Sequence, residues 1–88
     1  MKYLDFDVDV QFENYIRGGT AILLVDKNDG YLVAIATTWI PDLQQEELAI
    51  KDYSENTGMY GWLLNNNIVQ KAHRFINQFP ICKLCSTQ

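Results

Sequence analysis

The sequence predicts an α+β fold: an antiparallel or mixed sheet of five to six strands with one helix, about residues 55–65, packed on one face. Three observations carry this. Residues 4–13 alternate strictly between apolar and polar, the signature of a half-buried strand. Asp29-Gly30 separates two β-prone apolar runs and marks a hairpin, because glycine accepts a positive φ. A single stripe of helical period follows Ser54. The predicted order is βββ β α ββ, within one domain spanning residues 1–88.

The first strand sets Leu4, Phe6, Val8, Val10 and Phe12 on one face, with Asp5, Asp7, Asp9, Gln11 and Glu13 on the other. Gly18-Gly19 then allows a turn. The runs 20–25 and 31–40 are apolar without alternation and read as adjacent strands covered on both faces. Pro41-Asp42 closes the second run, since proline cannot give an amide to a ladder. In residues 46–53, Leu48 and Ile50 share a face of a short strand. Ser54 reads as a helix N-cap, and Glu55 suits the positive helix end. Met59, Trp62, Leu63 and Asn66 form the buried stripe, and the Asn65-Asn66-Asn67 run gives a left-handed stop. The runs 68–76 and 80–84 read as two short strands joined around Asn77-Gln78-Phe79.

A chain of 88 residues buries only about 60% of its unfolded surface, so its core must be efficient. Apolar residues make up 48%, including five Tyr, four Phe and two Trp, which closes a core without disulfides and argues against disorder. No apolar run is long enough to span a bilayer, and the start, Met1-Lys2-Tyr3-Leu4-Asp5, has no apolar leader segment. The expectation is a cytoplasmic protein that binds no membrane. The net charge of −4 lies in the first half: residues 1–44 hold seven acids and three bases. The lack of a Lys/Arg cluster to neutralise phosphates argues against direct nucleic-acid binding.

The stretch Ile50-Lys51-Asp52-Tyr53-Ser54-Glu55-Asn56-Thr57-Gly58-Met59 resembles the central I-K-D-Y-S-E-N-x-G-M motif of a family of small uncharacterised proteins met in bacterial plasmids, phages and integrative elements. Thr20-Ala21-Ile22 through Ile40-Pro41-Asp42 is similar to that family's hairpin, and Pro80-Ile81-Cys82-Lys83-Leu84 to its final strand. The chain departs from the pattern at Thr37-Thr38-Trp39. The resemblance implies a mobile-element origin and a bacterial cytoplasm. It carries over no activity, cofactor or catalytic residue.

The residue patterns favour no enzyme and no cofactor. Cys82-x-x-Cys85 with the single His73 falls short of four zinc ligands; Cys82 reads as a core residue. Asp5-x-Asp7-x-Asp9 opens like a calcium loop, but Val10 and Ile16 stand where glycine and glutamate are needed. Gly18-Gly19 lacks the flanks of a phosphate loop.

Two polar groups remain as a candidate partner-binding surface. One is the acidic row Asp5, Asp7, Asp9 and Glu13, whose repeat of about 6.6–6.8 Å approaches phosphate spacing and suits either mimicry of DNA or protection against aggregation. The other is Lys51, Asp52, Tyr53, Glu55 and Asn56 at a helix start, which suits either a partner's carboxylate or plain capping. The leading expectation is a non-catalytic protein-binding accessory or inhibitor protein with an unidentified protein partner. The alternatives are a small-ligand or nucleotide binder built on Trp39, Trp62 and Lys51, and a small enzyme using His73 with Asp52 or Glu55. Self-association through an outer strand is left open.

Overall fold

The computed structural model describes residues 1–85. Among these, the chain forms β1 (Lys2–Tyr3), β2 (Phe6–Asn14), β3 (Thr20–Asp26), β4 (Leu32–Ile35), β5 (Thr37–Thr38), β6 (Leu48–Ile50), a 3-10 turn (Ser54–Asn56), α1 (Met59–Asn65), β7 (Arg74–Ile76) and β8 (Phe79–Cys82). The α+β class is as predicted. The single sheet of five to six strands is not: two antiparallel four-stranded sheets form, ordered β1-β2-β3-β4 and β5-β6-β8-β7.

The first sheet begins with a turn that the alternation concealed. Lys2 pairs with Asp7 and Tyr3 with Phe6, so Leu4 (φ +54°) and Asp5 form the turn instead of joining the strand. Val8 and Val10 face the core as predicted, while Phe6 and Phe12 remain exposed on β2. The Gly18-Gly19 turn is closed by the Tyr15 amide donating to the Gly19 carbonyl at 3.0 Å. The Asp29-Gly30 hairpin is present as well. Gly30 (φ +78°) donates to the Asp26 carbonyl, and the Asp26 and Asp29 carboxylates accept from the amides of Asn28 and Tyr31. These self-bonds are why Asp and Gly dominate such turns. Of the two runs flanking this hairpin, β3 is covered on both faces, whereas Leu32 and Ile35 of β4 are exposed.

The run 31–40 is not one strand. It leaves the first sheet at Ala36, which is wholly buried. Ala36 donates its amide to Ile22 of β3, but turns its carbonyl to the amide of Lys51 beside the second sheet. The buried Ile22 amide thereby loses its ladder acceptor. The Thr37 hydroxyl supplies one at 3.2 Å and also bonds the Tyr15 hydroxyl at 2.9 Å. Thr37 then pairs with Ile50, and Thr38 with Ala49. The strand ends at Thr38, ahead of the expected stop at Pro41.

In the second sheet β6 lies between β5 and β8, with Leu48 opposite Cys82 and Ala49 opposite Ile81. The expected final hairpin forms at Asn77 (φ +55°), with Ile76 opposite Phe79. Its first strand is shorter than the predicted 68–76, since Val69 makes only an isolated bridge to Leu84.

The helix is also shorter than 55–65. Ser54 (φ +57°) and Gly58 (φ +93°) interrupt the segment with left-handed backbone. Ser54 is therefore not the cap; Gly58 holds that position, and its amide donates to the Asp52 carboxylate at 2.7 Å. Met59 and Leu63 are fully buried as predicted. Trp62 is half-buried, edge-on to Tyr3 at 5.3 Å, and donates its indole N–H to the Lys2 carbonyl at 2.6 Å. This clamps β1 to α1. Asn67 (φ +58°) follows as the left-handed stop. One core joins both sheets and the helix: Ile22, Leu24, Ala36, Leu48, Ile50, Met59, Leu63 and Cys82. No helix is long and apolar enough to cross a membrane among the described residues.

Because Thr37 satisfies a buried amide, Thr37→Val should lower unfolding free energy by about 1–3 kcal/mol. Thr37→Ser, which keeps the hydroxyl, should lose less. Urea denaturation of both variants checks this; a Thr37→Val loss no larger than that of Thr37→Ser would contradict it.

Candidate functional site

The turn between β2 and β3 faces the segment 38–48 across a cleft of about 500 Å³, within the size range of ligand sites. The geometry follows from the crossing at Ala36. Once the chain passes into the second sheet, residues 39–47 must loop back to reach β6, and they do so opposite the hairpin. Arg17 from the turn lies over the Trp39 ring from the loop, 5.0 Å from its centroid. Such a pair is worth about 0.5–1 kcal/mol when exposed. At the hairpin tip Ile16 is fully exposed and borders a shallower groove with Asn14 and Trp39.

Below the cleft lies the one buried acid among the described residues, Glu47, 5% exposed. Its position has a sequence cause: it directly precedes β6, whose three residues are all buried. The Arg74 side chain reaches it bidentately, Nη2 to Oε1 at 2.6 Å and Nε to Oε2 at 3.0 Å. His73 Nε2 lies 2.6 Å from Oε2, and the Gln44 amide donates to Oε1 at 2.8 Å. Arg74 also reaches the Asp42 carbonyl. One carboxylate thus pins the 42–47 loop to β7. The Arg74 guanidinium holds the Glu47 carboxyl down to about 2, against a burial penalty that pushes the other way.

A carboxylate held that low is a weak base at neutral pH. Burial pushes the Cys82 thiol up to about 11, which leaves it unreactive. The network is built to hold a loop.

The predicted candidate residues divide into two sets. Asp5 sits in the β1–β2 turn, outside the row. Asp7 binds the Met1 amino group at 3.0 Å, which lowers its carboxyl pKa. Asp9 and Glu13 are exposed on the outer face of β2, on either side of Gln11. The second set is bonded internally. Lys51 pairs with Glu55 at 2.8 Å and holds that carboxyl down to about 2. Asp52 caps Gly58, and Tyr53 meets Phe79 edge-on at 6.0 Å. Asn56 is only 2% exposed and donates to the Ile35 carbonyl of β4 at 2.7 Å.

Other predicted groupings do not assemble. His73 pairs with Glu47, not with Asp52 or Glu55. Trp39 lines the cleft, whereas Trp62 binds Lys2 and Lys51 binds Glu55. Sequence reasoning missed Ile16, Arg17, Glu47 and Arg74. Glu47 alone carried a signal, as a charge set directly against an apolar strand.

Fold and cleft together define a small α+β protein with a loop-walled surface site. No family model, curated protein or solved structure matches the chain.

Folded Glu47 ionises near 2 against an ordinary value of 4.5, so the unfolded chain takes up the proton first as pH falls. The stability difference between wild type and Glu47→Gln should be full above pH 4.5 and should close as pH drops towards 2. Glu55 titrates in the same window but is exposed, and salt screens it more than Glu47. Denaturant unfolding at high salt between pH 7 and 2 checks this; a pH-independent difference would contradict it.

Proposed function

We propose that this chain is a non-catalytic protein-binding module, an accessory or inhibitor protein of a bacterial mobile element that works in the cytoplasm by docking on another protein. The observation that carries the docking reading is the hairpin tip. Ile16 projects fully into solvent beside Arg17, itself laid over Trp39. An apolar anchor flanked by Arg and Trp has the composition of an interface hot spot. The low carboxyl of Glu47 and the raised thiol of Cys82 support a non-catalytic role. The mobile-element origin rests on the resemblance of residues 50–59.

The cleft supports a second reading, a small-ligand site in which Arg17 and Trp39 hold a planar anion. Quenching of Trp39 fluorescence by nucleotides, abolished in Arg17→Ala, would favour it.

For the leading reading, tagged wild-type chain should retain a partner from bacterial lysate. Ile16→Asp and Trp39→Ala should each weaken that complex by on the order of 30-fold or more, the scale of a hot-spot residue, with the melting temperature of Ile16→Asp unchanged. Undiminished capture by both variants would remove the tip from the binding surface.

A further inference from the structure

We infer that the outer edge of β2 accepts an extended segment of the protein partner as an added strand, one whose side chains alternate apolar and basic. The inference rests on the protein-binding reading and specifies its mode.

Backbone direction fixes which groups are available. The Asp7 carbonyl accepts from Lys27 and the Tyr15 amide donates to Gly19, so odd-numbered residues of β2 bond towards β3. The Val8 amide donates to Met1, so even-numbered residues bond to the opposite side. There β1 pairs only as far as Asp7. The amides and carbonyls of Val10, Phe12 and Asn14 therefore face outward, and no strand lies beside them among the described residues. This edge is about 13 Å long at normal strand rise, enough for a short strand. The other edge of the sheet, β4, is partly closed by Asn56 bonding the Ile35 carbonyl.

The side chains along the edge define the occupant. On the core face, Phe12 is 52% exposed, next to half-buried Val10. An added strand would cover these with its own apolar residues. On the outer face stand Asp9, Gln11 and Glu13, which would lie opposite the intervening residues of that strand. Lysine or arginine fits there; a carboxylate does not.

Charge also decides against a second copy. An antiparallel copy centred on Gln11 would set Asp9 against Glu13 of the other chain, and like charges directly opposite are destabilising. Acids on an edge commonly act to prevent such pairing, but protection alone leaves the exposed Phe12 unexplained. Asn14, at the end of the edge, also borders the groove formed with Ile16 and Trp39, which links added strand and hairpin tip in one surface. Strand addition of this kind gains affinity from the main chain and specificity from alternate side chains.

The test uses the full chain, 15N-labelled, and three blocked peptides of roughly ten residues: alternating valine and lysine, alternating valine and glutamate, and the lysine peptide N-methylated along one edge. The lysine peptide should slow amide exchange at Val10 and Phe12 by about tenfold or more, while the other two should not. The Asp9→Asn, Glu13→Gln double variant should bind it about three- to tenfold more weakly at low salt. Equal binding of the N-methylated peptide, protection confined to other amides, or no binding at millimolar peptide would each overturn the inference. So would protection of Val10 and Phe12 that grows with protein concentration alone, which would assign the edge to a second copy. If the strand-addition inference fails while Ile16→Asp still loses the captured partner, docking through the tip survives without it.

Discussion

The passage of one strand between two sheets, at Ala36 and Thr37, is the constraint on which the rest of the molecule depends. A residue in a central strand normally gives its amide and carbonyl to the same ladder. Ala36 divides them, its amide going to Ile22 and its carbonyl to Lys51, and the division welds the sheets at a fixed angle. It also strands the amide of Ile22, in a position with no access to water. An unpaired buried amide costs about as much as a lost hydrogen bond, so the corner is tenable only because the next side chain is a hydroxyl. Thr37 accepts from Ile22 and still reaches Tyr15. The corner and the hairpin that forms one wall of the cleft are therefore fixed by the same oxygen.

Residues 50–59 form the second weld, made of polar bonds instead of a ladder. Asn56 ties the turn to β4, Asp52 starts the helix by holding Gly58, and Lys51 braces Glu55. Met59 then enters the core with no exposure. Each residue type in this dense polar stretch has a structural task. A pattern that looks like a binding motif in sequence is accounted for by the geometry of joining a loop, two sheets and a helix within ten residues.

What the sequence made legible were features determined by near neighbours. The Asp29-Gly30 hairpin, the Gly18-Gly19 turn, the inward Val8, the stripe of Met59 and Leu63, and buried Cys82 all follow from local pattern. The division of 31–40 did not, because every residue from Leu32 to Thr38 suits a strand and nothing local says to which sheet it belongs. Ser54 has the residue type of a cap, but its own backbone is left-handed and the cap falls at Gly58, whose amide the Asp52 carboxylate holds from six residues before. The cleft was illegible for the same reason. Arg17 and Trp39 are 22 positions apart in sequence, as are Tyr15 and Thr37, and Glu47 meets Arg74 across 27. Such pairs are set by topology, and topology was the part of the prediction that changed.

These welds bear on the proposed binding surface through entropy. A loop tip that must be ordered on binding loses about 0.5–1.5 kcal/mol for each flexible side chain it immobilises. Ile16 and Arg17 lie between Tyr15, fixed to Thr37, and Gly18, whose positive φ closes the turn by donating to the Tyr15 carbonyl at 2.9 Å. Across the cleft, the loop bearing Trp39 is held further along by Glu47 on Arg74. Both walls are thus tied into the fold, and Arg17 is laid over Trp39. Ile16 at the tip is fully exposed, and it is a β-branched side chain with few rotamers to lose. The buried polar bonds at Thr37 and Glu47 do little to increase hydrophobic burial. Their consequence is a rigid rim with one unburied apolar side chain, and such a rim meets a complementary surface at a small entropic cost.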